Sequence, residues 1–289
     1  MGGGVQSKDA AAPDDRSAVS ILSGTEPPGG MGGGVQSKDA AAPDDRSAQS
    51  ILSGTEPPGG VGGGVQSKDA ASAQGASLSQ PRKITVIPIC VDPDAVSPVP
   101  RAPSGPPMIL HLGTMFWPPN VTGVLWFARE VLPLVHRAVP DARFVVVGKN
   151  PPPEVQALAA DPHIEVTGYV ADVTPCLAAA DVFVVPLHAG GGMRVKILDA
   201  WLWGLPIVST PIGAEGIELV HGENILIALG ATPAAAAAAF AHATVRLLTD
   251  GALNAALRRN GRAWVEANYA WRAVYRRVDA VYDGLKIEN

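Results

Sequence analysis

From Arg82 onward, short apolar runs rich in β-branched residues alternate with stretches whose apolar residues recur every three or four positions. The runs Ile84–Ile89, Ile109–Leu112, Arg143–Val147, Ile164–Thr167, Val182–Val185, Ile207–Ser209 and Ile225–Ala228 predict strands. Most are apolar throughout, as parallel strands covered on both faces must be. Val121, Val124, Leu125, Ala128, Val131, Leu132 and Val135 form one helical stripe, with Asn120 as its expected N-cap. Shorter helices are expected near Glu154–Ala160, Val173–Ala179 and Arg194–Trp203. Three more follow near Pro233–Leu248, Leu253–Asn268 and Arg272–Leu285. Strand–helix alternation with short loops implies an α/β fold with a doubly wound, Rossmann-like parallel sheet.

The first 80 residues break this pattern. They hold 16 of the 32 glycines and none of the 15 aromatic residues, the first of which is Phe116. Residues 1–30 and 31–60 differ only at Val19 and Gln49, and a partial third copy starts at Val61. Each 30-residue unit offers little more than Ile-Leu to bury, too little to stack as a solenoid. Residues 1–80 are therefore expected to be a disordered repeat leader, and residues 81–289 one folded domain.

Charge narrows the function classes. The chain carries a formal net charge of -5, and the part after residue 80 is nearly neutral with no run of Lys or Arg. A nucleic-acid binder needs a basic stripe. No stretch of 18 consecutive apolar residues is present, so no transmembrane segment is expected. Cys90 and Cys176 form no disulfide framework, which fits a reducing compartment.

In a doubly wound sheet, ligands bind beyond the carboxyl ends of the strands. Four predicted loops lie there: Gly113-Thr114-Met115, Gly148-Lys149-Asn150, Gly168-Tyr169-Val170, and Pro186 through Arg194. The last carries Gly190-Gly191-Gly192-Met193-Arg194 straight into a helix containing Lys196 and Asp199. Unpaired N–H groups at a helix start, with two cations beside them, suit a diphosphate. The alternative is a flexible turn with two solvated cations. Neither a GxGxxG after a strand nor a GxxxxGK[ST] is present, so dinucleotide and P-loop chemistry are not indicated. Asp199 could accept the hydroxyls of a ribose; the plainer reading is a solvated helix carboxylate. Glu215, in Gly213-Ala214-Glu215-Gly216, stands at the same sheet edge.

Taken together, these segments resemble the C-terminal, donor-binding domain of a GT-B-fold glycosyltransferase of family 4 (group 1 type), over about Val86 to Tyr282. The resemblance rests on Gly113-Thr114-Met115 through Pro119-Asn120, Val166 through Val170 with Asp172, Gly190 through Ala200, Gly204-Leu205-Pro206-Ile207-Val208-Ser209 and Gly213 through Gly216. It implies retaining transfer of a hexosyl group from a nucleoside-diphosphate sugar, with no cofactor and no bound metal. It assigns the diphosphate to Gly190, Gly191, Gly192, Met193, Arg194 and Lys196, and the ribose to Asp199. The base and donor loops would be Gly113, Thr114, Gly168, Tyr169 and Val170. The family's Glu-x7-Glu pattern falls on Gly191 and Asp199, so the ribose carboxylate is one methylene shorter here. Where the family carries an acceptor-binding α/β domain, this sequence has the glycine-rich repeat. The resemblance thus implies a transferase either truncated at the gene level or completed by a separate acceptor-domain chain, with an unnamed sugar, lipid or polysaccharide acceptor and an unassigned catalytic residue. It implies a cytoplasmic site, or one peripheral to the inner face of a membrane. Val274, Val278, Val281 and Leu285 of the last helix would then lack part of their cover.

Two readings compete with a transferase: a non-catalytic nucleotide-sugar-binding or scaffold module, and a nucleotide-sugar epimerase, for which no acid/base cluster is evident. His111, His188 and His221 have no metal-ligand spacing and are expected to be hydrogen-bonded or exposed, with His188 a candidate sugar contact. Cys176 is expected to be small and buried. At least one of Trp201 and Trp203 is expected in the core.

Overall fold

A computed structural model describes residues 84–102 and 105–284; the repeats lie outside the described residues. Six strands form one parallel sheet: β1 (Met108–Leu112), β2 (Arg143–Val147), β3 (Ile164–Gly168), β4 (Val182–Val185), β5 (Ile207–Ser209) and β6 (Leu226–Ile227). Their order is β3-β2-β1-β4-β5-β6, so the chain winds outward from β1 in one direction and then returns to its other side. This is the doubly wound, Rossmann-like arrangement that the sequence pattern predicts.

Helices α1 (Pro118–Trp126) and α2 (Leu132–His136) connect β1 to β2, and α3 (Pro153–Gln156) connects β2 to β3. Helix α4 (Thr174–Ala179) precedes β4, and α5 (Val195–Leu202) joins β4 to β5. After β6 come α6 (Pro233–Thr249), α7 (Gly251–Asn268) and α8 (Trp271–Gly284). Side chains alternate along each strand, which produces two cores. Ile109, Phe144, Val146 and Val184 face Phe127, Val131 and Phe240. Leu110, Val145, Phe183 and Val185 face Ile197, Trp201 and Val265. Burial on both faces explains why the strands read as unbroken apolar runs.

Two expectations about the elements need correction. Ile84–Ile89 is not a strand: Ile84, Val86, Ile87 and Ile89 are exposed, and no strand among the described residues pairs with them. The long helix after β1 is interrupted by a π-helical stretch, Phe127–Val131. Pro133 follows it, and a proline ring clashes with the carbonyl four residues back in an α-helix; the wider turn relieves that conflict. On α8, Val274 is buried and Val278 and Val281 are half-buried, while Leu285 lies outside the described residues. The exposed apolar side chains there are aromatic: Trp271, Tyr275 and Tyr282.

Below the sheet, α7 acts as a clamp. Arg262 donates to the carbonyls of Pro93, Val96 and Leu202, and Arg258 to those of Ala180 and Gly204. Val91 donates to Tyr269 O (2.8 Å) and accepts from Trp271 N (2.9 Å), so the incoming segment is stitched to the start of α8.

Candidate functional site

The strand order reverses between β1 and β4. Their ladder has only two register pairs, Ile109 with Val182 and Leu110 with Phe183. At the next position the pairing is taken over by a side chain: His111 Nδ1 lies 3.0 Å from Val184 O. The strands part there, and the loops after β1 and β4 open from the split, where a doubly wound sheet binds ligands.

The loop after β4 crosses to α5 through Gly190 and Gly192, with φ of 128° and 77°. Both values fall in the region that favours glycine. Gly190, Gly191 and Gly192 are exposed and Met193 is half-buried. Arg194 is only 4% exposed. Its guanidinium donates to Gly191 O and Gly192 O at 2.6 Å and more weakly to Ile212 O, while the buried Nε has no partner. Arg194 therefore shapes the glycine loop from within.

Lys196, one residue into α5, is partly buried and donates from Nζ to Asn120 Oδ1 at 2.8 Å. Asn120 is not the N-cap; that position is Trp117, and Asn120 falls in the first turn of α1. Pro118 and Pro119 occupy the first two helical positions, where a missing N–H costs nothing. Asn120 Nδ2 donates to Thr114 O, also at 2.8 Å. The loop after β1, the start of α1 and α5 are thus tied across the split by one buried amide. Sequence reasoning assigned Asn120 to capping; the signal that it had another task was the pair of prolines before it.

Burial, and then the nearby Arg194, lower the Lys196 pKa to about 7. Burial, reinforced by Lys196, drops the imidazole of His111 to about 3, so it is neutral. Its Nε2 is buried without a hydrogen-bond partner. Farther along α5, Asp199 is partly buried and its carboxylate makes no hydrogen bond among the described residues. Burial raises its pKa to about 7. Desolvated, unpaired groups of this kind concentrate at functional sites.

The remaining candidates flank this centre. Gly113 is buried and Thr114 half-buried in the loop after β1. Gly168 (φ 70°) ends β3, followed by Tyr169, 59% exposed, and half-buried Val170. Lys149 Nζ stands 5.1 Å from the Tyr169 ring centroid, a cation–π pair. Glu215 is exposed. His188 is exposed and meets Trp126 edge-on, with ring centroids 4.3 Å apart. His221 accepts from Ile227 N. Cys176 is half-buried, and Trp201 is the tryptophan in the core. An open cavity of about 260 Å³ lies elsewhere, between β6 and α6, lined in part by His221, His242 and Arg246.

Residues 106–250 match the family described as "Glycosyl transferases group 1". Over 153 residues the chain is 32% identical to the GDP-mannose-dependent alpha-(1-6)-phosphatidylinositol monomannoside mannosyltransferase of Mycobacterium tuberculosis, covering 48% of this chain and 39% of that protein. It is 28% identical over 206 residues to the phosphatidyl-myo-inositol mannosyltransferase of Mycobacterium leprae, covering 68% and 52%. Among solved structures, sucrose-phosphate synthase from Thermosynechococcus elongatus aligns with a TM-score of 0.54 at 22% identity, over 69% of this chain and 52% of that one; the likeness is one of fold. The chain spans between 33% and 52% of the length of the curated relatives it matches.

Proposed function

The chain belongs to the group 1 glycosyl transferases, and from that premise we propose that the split between β1 and β4 holds the nucleoside diphosphate of a sugar donor. The observation that carries this reading is the exposed glycine loop leading into α5, whose Lys196 is held by Asn120 across the split where the strand order reverses. Backbone N–H groups and a cation, converging beyond the strand ends, are what a diphosphate requires.

In this reading the diphosphate lies along Gly190, Gly191, Gly192 and Met193, against Lys196. Arg194 fixes the loop's curvature and adds positive potential from behind it. Asp199 takes the ribose hydroxyls, directly or through a water. The base packs among Gly113, Thr114, Gly168, Tyr169 and Val170. Transfer breaks the bond between the anomeric carbon and the diphosphate, which leaves with the electron pair, and forms a bond to an acceptor oxygen, which loses its proton. Lys196 and the loop N–H groups stabilise the negative charge that grows on the leaving diphosphate. Retained stereochemistry and freedom from metal follow from the family resemblance. A hexose donor is favoured by the GDP-mannose named for the Mycobacterium tuberculosis relative. The acceptor side is proposed to come from another chain or region, in the cytoplasm or at the inner face of a membrane, in keeping with unpaired Cys90 and Cys176.

Titration calorimetry of the full chain with UDP and with GDP tests the donor site. Binding of either at millimolar concentration or tighter supports it; no heat from folded protein with either refutes it. A non-catalytic nucleotide-sugar-binding module is the second reading. It is favoured by Arg194, whose guanidinium is spent on the carbonyls of its own loop. It requires that a bound donor never be turned over with any acceptor domain added; turnover abolished by Lys196→Ala eliminates it.

A further inference from the structure

Asn120 is 2% exposed, and both ends of its amide are used: Nδ2 on Thr114 O and Oδ1 under Lys196 Nζ. The packing is tight, since a Cβ placed on Gly113 would be 2.8 Å from both Asn120 Nδ2 and Lys196 Nζ. What matters chemically is that the acceptor is neutral. Among the described residues no carboxylate pairs with Lys196. The groups that act on it are Arg194, at the N-cap of α5, and His111, held neutral on β1, while Asp199 lies three residues farther along α5. His188 stands in the loop after β4, and the first turn of α1 carries no acid. An aspartate at position 120 would have given the same hydrogen bond and cancelled the cation.

We propose that Asn120 is the positioning residue of the donor site: it aims Lys196 Nζ across the split while leaving its charge uncompensated, so that binding of a diphosphate draws a proton onto the lysine. The inference rests on the donor-site reading above. Burial and Arg194 make the ammonium costly in the empty site, with a pKa of about 7. An anion set against Nζ restores the charged form, and the proton comes from solvent. By linkage, affinity falls by up to tenfold per pH unit above that value. Between pH 8 and 9.5 the phosphate, with a second pKa near 6, and Asp199, near 7, are already ionised; the ring N–H of uracil and guanine ionises only toward the top of that range, so Lys196 dominates the profile at its lower end.

The test is titration of UDP and GDP into the full chain over pH 8 to 9.5, in two buffers of different ionisation enthalpy. The wild type is expected to take up close to one proton per ligand, an approximate limit set by one titrating lysine. Asn120→Asp keeps the side chain's size but holds Lys196 charged beforehand. It should abolish the uptake, flatten the pH profile, and weaken binding at the low end of the range by on the order of tenfold. Asn120→Ala cannot mask the cation; it should retain the uptake and bind more weakly at every pH. A merely structural Asn120 would leave the proton count unchanged in both variants. Wild-type uptake in Asn120→Asp, or wild-type affinity in Asn120→Ala, overturns the proposal. Wild-type binding with no proton uptake overturns it too, yet leaves the donor site standing. Absence of any nucleotide binding removes the donor-site reading itself, and this proposal with it.

Discussion

Gly261 lies in the interior of α7, and by helix propensity alone Gly261→Ala should stabilise the chain by about 1 kcal/mol. The structure reverses that sign. A Cβ built on Gly261 lies 2.8 Å from Trp201 Nε1 and closer still to Cδ1. Trp201 cannot swing away: its side chain is fully buried, and Nε1 donates to Asn224 O at 2.9 Å. Overpacking of this kind costs about 1–3 kcal/mol. If the indole shifts, an unsatisfied buried donor costs about 1–3 kcal/mol more. Net of the propensity gain, Gly261→Ala should lower stability by about 2 kcal/mol, which for a domain of this size is a fall in Tm of about 4–8 °C. Scanning calorimetry measures it directly. Trp201→Phe, which shrinks the ring, should soften the loss in the double variant, with a coupling of about 1 kcal/mol. A Tm that rises, or additive losses, would refute the contact. The damage should also reach ligand binding, because Trp201 shares α5 with Lys196 and Asp199.

Lys196→Ala should weaken UDP and GDP by tenfold or more in calorimetry while changing uridine or guanosine binding little; equal losses would separate Lys196 from the phosphates. Asp199 has a folded pKa raised to about 7 from 3.8, so it adds stability at low pH that is lost as pH rises from about 4 to 7. Asp199→Asn should remove that decline in a Tm-versus-pH series and make the chain more stable than wild type at pH 8. His111 has the opposite sign: its folded pKa, about 3, lies below 6.5, so stability drains as pH falls through that interval. His111→Leu should blunt this acid loss in the same series. At neutral pH it should cost about 1 kcal/mol, for the Val184 carbonyl left without its side-chain partner.

Strands were the most legible part of the sequence, because burial on both faces demands apolar residues throughout. The same simplicity misled at Ile84–Ile89. Composition records a strand's appetite for burial but not the presence of a neighbour to pair with. The helix after β1 hid its π-helical stretch behind a regular apolar stripe, although Pro133 marked the conflict. At the site, the glycine loop and its cations stood out because they are consecutive. The tie from Asn120 to Lys196 did not, since it joins residues 76 positions apart. Arg194 shows a related limit: sequence gives a cation's position, not whether its hydrogens point outward or, as here, into the carbonyls of its own loop.

The stitch at Val91 has a mechanical meaning. The segment before the sheet shares two backbone hydrogen bonds with the junction of α7 and α8, one to Tyr269 and one to Trp271, and Arg272 reinforces the join through Asp94 at 2.6 Å. Tension applied upstream of Val91 would therefore be borne first by the beginning of the final helix, not by the sheet. The two ends of the described fold yield as one, like the two halves of a buckle.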